Sequence, residues 1–206
     1  TAQIDVKLNT GTGSSVIMDT GTVFTTKVNN IDYQYVTNED ITITPVDGVY
    51  QFNNVKIYEG TLVTFKYTVD VNDVDQKFTI PSTDADTTTL KVSVQNSSTD
   101  TTTNTYSLSG GYAGVGSDSK VYFLQEGSDR KFEVYFGDGI IGKKLSDGNV
   151  VILEYIVTNK SDSNGASKFS LSGNIGGNTD VTITTDSVSQ GGSVAETNDS
   201  IKFNAP

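Results

Sequence analysis

The sequence of 206 residues contains no cysteine, no histidine and no tryptophan. Without cysteine the chain has no disulfides and no thiolate metal sites, and its redox compartment stays open. Without histidine it lacks the most common general base, the usual transition-metal ligand and any Ser-His-Asp arrangement. Without tryptophan it lacks the largest ring for stacking on a sugar, although ten tyrosines are present. We therefore expect a protein that is not an enzyme and binds no cofactor or metal.

Long hydrophobic runs and excess positive charge are also missing. No segment approaches the roughly 20 apolar residues that a membrane-spanning helix needs. The net charge is −11 at pH 7, which opposes binding to phosphate backbones and to anionic membranes. We expect no nucleic-acid, membrane or small-molecule partner. No signal peptide is recognisable and the chain begins at Thr1, which is typical of a fragment or a processed product.

Threonine, serine, asparagine and aspartate are abundant, and apolar residues recur with a period of two. This alternation predicts half-buried strands at Ile4–Leu8, Ile41–Thr44, Val63–Asp70, Leu90–Gln95 and Val181–Ile183. Turn signals between them include the pair Asn53-Asn54. The predicted fold class is mostly β, with antiparallel sheets.

Two segments depart from this pattern. Ser193–Glu196 matches a capping box, and Val194 and Ile201 lie two helical turns apart, which predicts one short C-terminal helix that ends before Pro206. Residues 95–119 are rich in small polar residues, which predicts a long loop or a mobile hairpin.

The segment Phe132–Val157 is the most informative part of the chain. Phe132, Val134 and Phe136 alternate with polar residues and predict a strand with one apolar face. Asp138-Gly139 is a favoured pair for a hairpin turn. Residues 150–157 are apolar on both faces, which is typical of a central strand covered on both sides. Local chemistry therefore predicts a β-hairpin here.

Three glycines in this segment, Gly137, Gly139 and Gly142, also satisfy the pattern Gly-x-Gly-x-x-Gly. A dinucleotide site requires that pattern to follow a strand and to open a helix. Residues 143–148 lead instead into another apolar strand, and no room remains for a helix whose N-terminus would hold a pyrophosphate. The pattern predicts a turn.

The same segment resembles a motif of the baseplate wedge proteins of T-even-type contractile-tailed bacteriophages, the baseplate-J-like family. Other stretches resemble that family in the same order along the chain. Ile17–Phe24 is similar to the Gly-Thr strand near the start of baseplate-J-like domains. The other stretches are Lys56–Gly60, Asp86–Val94, Val121–Glu126, Gly191–Glu196 and Ser200–Pro206.

The resemblance implies a structural subunit of the tail baseplate in the virion, assembled in the host cytoplasm through contacts with other wedge proteins and with copies of itself. It implies a discontinuous baseplate-J-like β domain, residues 1–75 and 166–206, with an inserted β domain at 76–165. Wedge proteins continue well past an Ala-Pro junction like the one that ends this sequence, so the chain is expected to be a middle fragment. The structural signature is Phe136, Gly137, Asp138, Gly139 and Gly142.

Two chemical sites compete with this interpretation. Asp70–Asp75 offers hard oxygen ligands for calcium, but Val74 and Asp75 break the EF-hand pattern and its twelfth position is Pro81, so a polar turn is favoured. Carboxylate pairs support glycoside hydrolysis only where they converge in a cleft, which sequence spacing does not establish. The candidates are Glu126, Glu133, Asp138 and Glu154.

An alternative function is an extracellular carbohydrate- or receptor-binding β module of the adhesin kind. Threonine-rich, acidic, cysteine-free β domains are common in such proteins, but an adhesin has no reason to share the wedge-like order of motifs. The Asn-x-Ser sequons at Asn96, Asn159 and Asn198 are explained by chance in a chain so rich in asparagine and serine.

Overall fold

The computed structural model describes residues 1–11, 13–127 and 129–193. These residues form fifteen β-strands and no α-helix. The strands are β1 (Ala2–Leu8), β2 (Val16–Met18), β3 (Val23–Val28), β4 (Ile31–Thr37), β5 (Ile41–Ile43), β6 (Tyr50–Glu59), β7 (Thr61–Thr68), β8 (Phe78–Thr79), β9 (Ala85–Gln95), β10 (Thr103–Leu108), β11 (Val121–Glu126), β12 (Phe132–Phe136), β13 (Val150–Val157), β14 (Ser170–Ser172) and β15 (Val181–Ser187). The predicted all-β character is confirmed for this part of the chain, whereas the predicted C-terminal helix falls on residues 194–206, outside the described ranges.

The chain divides into two compact units. The first contains Thr1–Thr61 and Thr158–Pro206, and the second contains Leu62–Val157. The second unit begins earlier than the 76–165 expected from sequence, because β7 already belongs to its sheet as the neighbour of β13. The assignment of the first unit to a baseplate-J-like domain stays a prediction.

The first unit contains a six-stranded sheet in the order β14-β3-β4-β6-β1-β15 and a two-stranded sheet of β2 and β5. Its strands follow the period-two pattern, since Ile4, Val6 and Leu8 of β1 are all buried. The pair Asn53-Asn54 forms a bulge inside β6 and not a turn. Asn54 has a φ of 53°, its N–H donates to Asp5 Oδ1 at 2.8 Å, and the β1–β6 register shifts beside it.

Residues 17–24 do not form one strand, contrary to the resemblance. β2 ends at Met18, a turn follows, and β3 starts at Val23 in a different sheet. The N–H of Thr22 donates to the carbonyl of Asp19 at 3.1 Å, and Gly21 between them has a φ of 80°. The Gly-Thr pair therefore turns the chain between two sheets.

A buried tyrosine links distant parts of the first unit. Tyr35 is fully buried and packs edge-on against Phe169, with ring centroids 5.0 Å apart. Its hydroxyl lies 2.6 Å from Ser189 Oγ and 3.1 Å from the carbonyl oxygen of Ser163. Burial raises the pKa of Tyr35, so the phenol keeps its proton and can donate.

Replacing Tyr35 by phenylalanine is expected to lower the free energy of unfolding by about 1–3 kcal/mol, because the buried partners at Ser163 and Ser189 lose their hydrogen bonds. Urea unfolding monitored by circular dichroism measures the change. Tyr112→Phe is the control, since that side chain is 68% exposed. Equal stability of the two variants would contradict the buried hydrogen bonds.

The second unit is a seven-stranded sheet in the order β7-β13-β9-β10-β11-β12-β8. Most pairings are antiparallel, as predicted, but β10 and β11 run parallel, with Ser107 opposite Val121. β10 also pairs with β9, so residues 95–119 contain a strand as well as a loop. The buried core is Val69, Ile80, Leu90, Val92, Val94, Tyr106, Tyr122, Val134, Val151, Leu153 and Tyr155.

The predicted hairpin of β12 and β13 is wrong. Both strands exist at the predicted places, but β9, β10 and β11 lie between them in the sheet. The thirteen residues 137–149 separate the two strands, which far exceeds the two-residue loop that the Asp-Gly pair favours. The apolar face of β12 is confirmed, since Val134 is buried and Phe132 and Phe136 pack on the core. β13 lies second from the edge of the sheet, between β7 and β9. The predicted cover on both faces is incomplete, since Ile152 and Glu154 are only half-buried.

No helix within the described ranges is long and apolar enough to cross a membrane.

Candidate protein-contact surface

Two loops of the second unit lie against each other. We call residues 109–120, between β10 and β11, the crossover loop, and residues 137–149, between β12 and β13, the glycine loop. The end of β10, the start of β11 and the end of β12 are adjacent because Leu108 pairs with Tyr122, which pairs with Phe136. Two backbone bonds join the loops directly. The N–H of Gly142 donates to Gly116 O at 3.1 Å, and the N–H of Lys143 donates to Ser119 O at 2.8 Å.

Asp138 organises the start of the glycine loop. Its Oδ1 accepts hydrogen bonds from the backbone N–H groups of Ile140 at 2.8 Å and Ile141 at 2.9 Å. These N–H groups, Ile141 first, hold the pKa of Asp138 below its usual value, and the positive charge of Lys144 adds to the effect. The carboxylate is therefore ionised at neutral pH, and the two isoleucines are turned into an exposed position.

The three glycines of the signature have distinct roles in this loop. Gly139 and Gly142 have φ angles of 91° and 82°, a region that side chains with a Cβ rarely adopt. Gly137 is needed for space, because a Cβ there would lie 2.1 Å from the carbonyl carbon of Gly142. The Gly-x-Gly-x-x-Gly pattern therefore closes a loop upon itself, and the chain continues into β13.

An open groove of about 550 Å³ lies between the two loops and strands β11 and β12. Aromatic rings form much of its wall, with Tyr112 and Phe123 in tilted contact at a centroid distance of 5.0 Å. Tyr112 is 68% exposed, and Ile140, which precedes the lining residue Ile141 in the glycine loop, is 77% exposed. Among the lining residues Asp138 alone is charged. The lining is Ser109, Gly110, Gly111, Tyr112, Phe123, Leu124, Gln125, Tyr135, Phe136, Asp138 and Ile141.

A charged cluster holds Tyr135 at the side of the groove. Glu133 accepts a hydrogen bond from the Tyr135 hydroxyl and pairs with Lys77, whose Nζ lies 3.0 Å from Glu133 Oε1. The Tyr135 hydroxyl and then Lys77 lower the pKa of Glu133. The same contacts raise the pKa values of Tyr135 and Lys77. These contacts hold the Tyr135 ring in place, and the positive charge of Lys77 balances the negative charge of Glu133.

This cluster gives a pH-dependent contribution to stability. Because the pKa of Glu133 is lowered by folding, its contribution is complete above the unfolded value of about 4.3 and is lost as the pH falls through the folded value. We expect the melting temperature of the natural protein to exceed that of Glu133→Gln at pH 7, and the difference to shrink towards pH 3. Glu126→Gln is the matched control. A difference that is constant from pH 7 to pH 3 would contradict the cluster.

Three of the four carboxylates considered for glycoside hydrolysis have separate partners. Glu154 forms an ion pair with Lys91, whose Nζ lies 3.6 Å from Glu154 Oε1, and Glu133 forms one with Lys77. Asp138 accepts a hydrogen bond from the backbone of Ile140 in its own loop. Within the described ranges the structure records no hydrogen bond or ion pair that joins two of them. That the chain is not an enzyme stays a prediction.

The carboxylates considered for calcium bind backbone groups of their own segment. Asp70 Oδ1 accepts the N–H of Asn72 at 2.9 Å, and Asp73 Oδ1 accepts the N–H of Asp75 at 3.1 Å. These carboxylates close local turns, as the favoured interpretation of the sequence expects. In the described part of the chain no cluster of three or more acidic residues is placed to hold a metal ion.

Sequence reasoning missed a buried carboxylate of the first unit, Glu59, and its exposed partner Asn159. Glu59 is 6% exposed and accepts two hydrogen bonds from Asn159, from the backbone N–H at 2.8 Å and from Nδ2 at 2.6 Å. These residues lie where the chain leaves the first unit and where it returns. These two hydrogen bonds therefore connect the outgoing and the returning segments of the chain. They also engage the side-chain amide of the Asn159 sequon.

Gly192, part of the Gly-Gly pair in the family resemblance, is enclosed by backbone. A Cβ there would lie 2.1 Å from the carbonyl oxygen of Lys160. Asn164 binds both backbone groups of Gly192, donating from Nδ2 at 2.9 Å and accepting at Oδ1 at 3.2 Å. The glycine thus has a packing role within the first unit.

Comparison with known proteins gives one informative relation. No family model matches the chain. The baseplate wedge protein gp6 of Enterobacteria phage T4 is 35% identical over 71 residues, a match that covers 27% of this chain and 11% of the T4 protein. The matched part is therefore a small portion of that relative. The comparison supports a distant relation between this chain and a phage baseplate wedge protein.

Proposed function

We propose that this chain is a structural subunit of the baseplate of a contractile phage tail, and that it acts by protein–protein contacts and not by catalysis. The observation that carries the proposal is the 35% identity to the T4 baseplate wedge protein over 71 residues. The proposed partners are other wedge proteins and copies of the same chain. The proposed location is the tail baseplate of the virion, after assembly in the host cytoplasm.

The physical character of the surface supports this role. Assembly requires rigid elements that present shape and apolar contact area, and it requires no catalytic group. The second unit presents exposed apolar side chains on its adjacent loops, with Ile140 at 77% and Tyr112 at 68% exposure. Exposed apolar residues that are clustered mark interaction sites more often than scattered ones do.

Immunogold electron microscopy of virions tests the proposal. Antibodies raised against the 206-residue chain are applied to intact particles of the phage that carries its gene and to particles opened by mild denaturant. We expect gold at the end of the tail away from the head, with pre-immune serum as the control. Gold that is absent from both kinds of particle, or that decorates the head, would contradict the proposal.

A second candidate function, a carbohydrate-binding module, is favoured by one observation. The groove combines the rings of Tyr112 and Tyr135 with the amide of Gln125, and rings with polar groups are a suitable lining for a sugar. A glycan array probed with the labelled chain distinguishes the two functions. Saturable binding to a defined glycan, lost in Tyr112→Ala, would favour the second candidate.

A further inference from the structure

We propose that the groove between the crossover loop and the glycine loop receives an arginine side chain from a partner protein. The inference rests on the proposed function, since it supplies the chemistry of one contact in the assembly. The occupant is a protein segment in which arginine is flanked by small or apolar residues.

The groove has the dimensions and the walls for one long side chain with its flanking backbone. Its volume of about 550 Å³ lies within the usual range of ligand sites. The ring centroids of Tyr112 and Phe123 lie 5.0 Å apart. The ring of Tyr135 lines the groove as well. Ring faces attract cations, and a guanidinium stacks on them better than an ammonium does.

The charge of the groove selects a cation. Asp138 is its single charged lining residue, and the hydrogen bonds that Asp138 accepts from Ile140 and Ile141 both use Oδ1. The backbone of Asp138 itself adds a third hydrogen bond to this carboxylate, and within the described part of the chain no other residue donates to Oδ2. A carboxylate fixed by its own loop, with one oxygen remaining, is a preorganised acceptor for a guanidinium.

Neighbouring charges do not cancel this preference. Lys144 influences Asp138 from outside the lining, and no ion pair within the described ranges joins the two. Glu133 beside the groove is already paired with Lys77. The protein as a whole carries a charge of −11, so a basic partner is attracted over a longer range as well. An acidic partner segment would meet Asp138 with the same sign of charge.

A titration with matched peptides tests the inference on the complete chain. The probe is a glycine-arginine-glycine tripeptide with blocked termini, and its matched control carries citrulline, which has nearly the shape of arginine without the charge. Nitrogen–proton correlation spectra report which backbone resonances shift. We expect the arginine peptide to shift the crossover and glycine loops saturably, with a dissociation constant in the millimolar range, and the citrulline peptide to bind about tenfold more weakly.

Two variants separate the charge from the ring. Asp138→Asn keeps an oxygen for the two loop N–H groups, so the loop is retained while the charge is lost, and we expect about tenfold weaker binding of the arginine peptide. Tyr112→Ala removes the ring and is expected to weaken binding several-fold, whereas Tyr112→Phe keeps it. Asp100→Asn, outside the groove, should bind as the natural protein does. Spectra of the free variants confirm that each is folded.

Several outcomes would overturn the inference. Equal binding of the arginine and citrulline peptides would remove the role of charge. Shifts confined to residues outside the two loops would place the site elsewhere. Shifts of the groove by oligosaccharides and not by the arginine peptide would make it a sugar site. Gold label at the baseplate with no peptide binding would sink this inference alone, whereas peptide binding without label on the virion would sink the proposed function.

Discussion

Replacing Gly137 by alanine is expected to lower the free energy of unfolding by about 3 kcal/mol or more. The added Cβ would lie 2.1 Å from the carbonyl carbon, 2.2 Å from the carbonyl oxygen and 2.5 Å from the Cα of Gly142. All three atoms belong to backbone, so no side-chain rotation relieves the contact and the glycine loop must open. Urea unfolding measures the loss, and resonance shifts in the glycine loop report the local change.

Substitutions at two other glycines provide comparisons for the stability of Gly137→Ala. Gly110→Ala should be nearly neutral, because nothing lies within 4 Å of the point that its Cβ would occupy. Gly139→Val should cost about 1–2 kcal/mol, because a positive φ is unfavourable for a branched residue while the nearest atom, Lys144 Cβ, is 3.6 Å away. Unfolding of Gly137→Ala at the same urea concentration as Gly110→Ala would contradict the close approach of the Gly137 and Gly142 backbones.

Replacing Phe52 by alanine is expected to lower the free energy of unfolding by about 3–5 kcal/mol. Phe52 is 0% exposed and lies on β6, between β4 and β1. Its truncation leaves a cavity in a cluster whose members all belong to the first unit, among them Val6 and Phe24. We therefore expect the protection of backbone amides against hydrogen exchange to decrease mainly in the first unit.

Hydrogen exchange measured by mass spectrometry locates the effect of Phe52→Ala. Peptides from β1, β4 and β6 should exchange faster, while peptides from β9 and β13 should change much less. Val46→Ala is the control, since Val46 is 71% exposed and such changes usually stay within about 0.5 kcal/mol. A uniform loss of protection in both units would contradict two separately packed cores.

The sequence predicted the strands better than their partners. The alternation in β1 and β9 predicted which side chains are buried, since Ile4, Val6, Val92 and Val94 all lie in the core. Strand order depends on contacts between distant segments, which alternation does not encode. The Asp138-Gly139 pair favoured a hairpin, but the Asp138 carboxylate binds the N–H groups of its own loop and β12 pairs with β11 and β8.

The candidate surface was only partly predictable. The signature from Phe136 to Gly142 was identified from the sequence, but the sequence did not indicate that Gly137 approaches Gly142, since that contact depends on the closed loop. Tyr112 was missed because it lies in a stretch of small polar residues, where a single large ring was the available signal. The Glu59–Asn159 pair spans 100 positions, and no local pattern connects residues so far apart.

A cryo-electron microscopy map of the intact tail end of the phage tests the central claim most directly. We expect density for both units of this chain in the baseplate, with the glycine loop facing a neighbouring protein that places an arginine beside Asp138. A complete baseplate map in which every protein is assigned and this chain has no place would contradict the claim that it is a baseplate subunit.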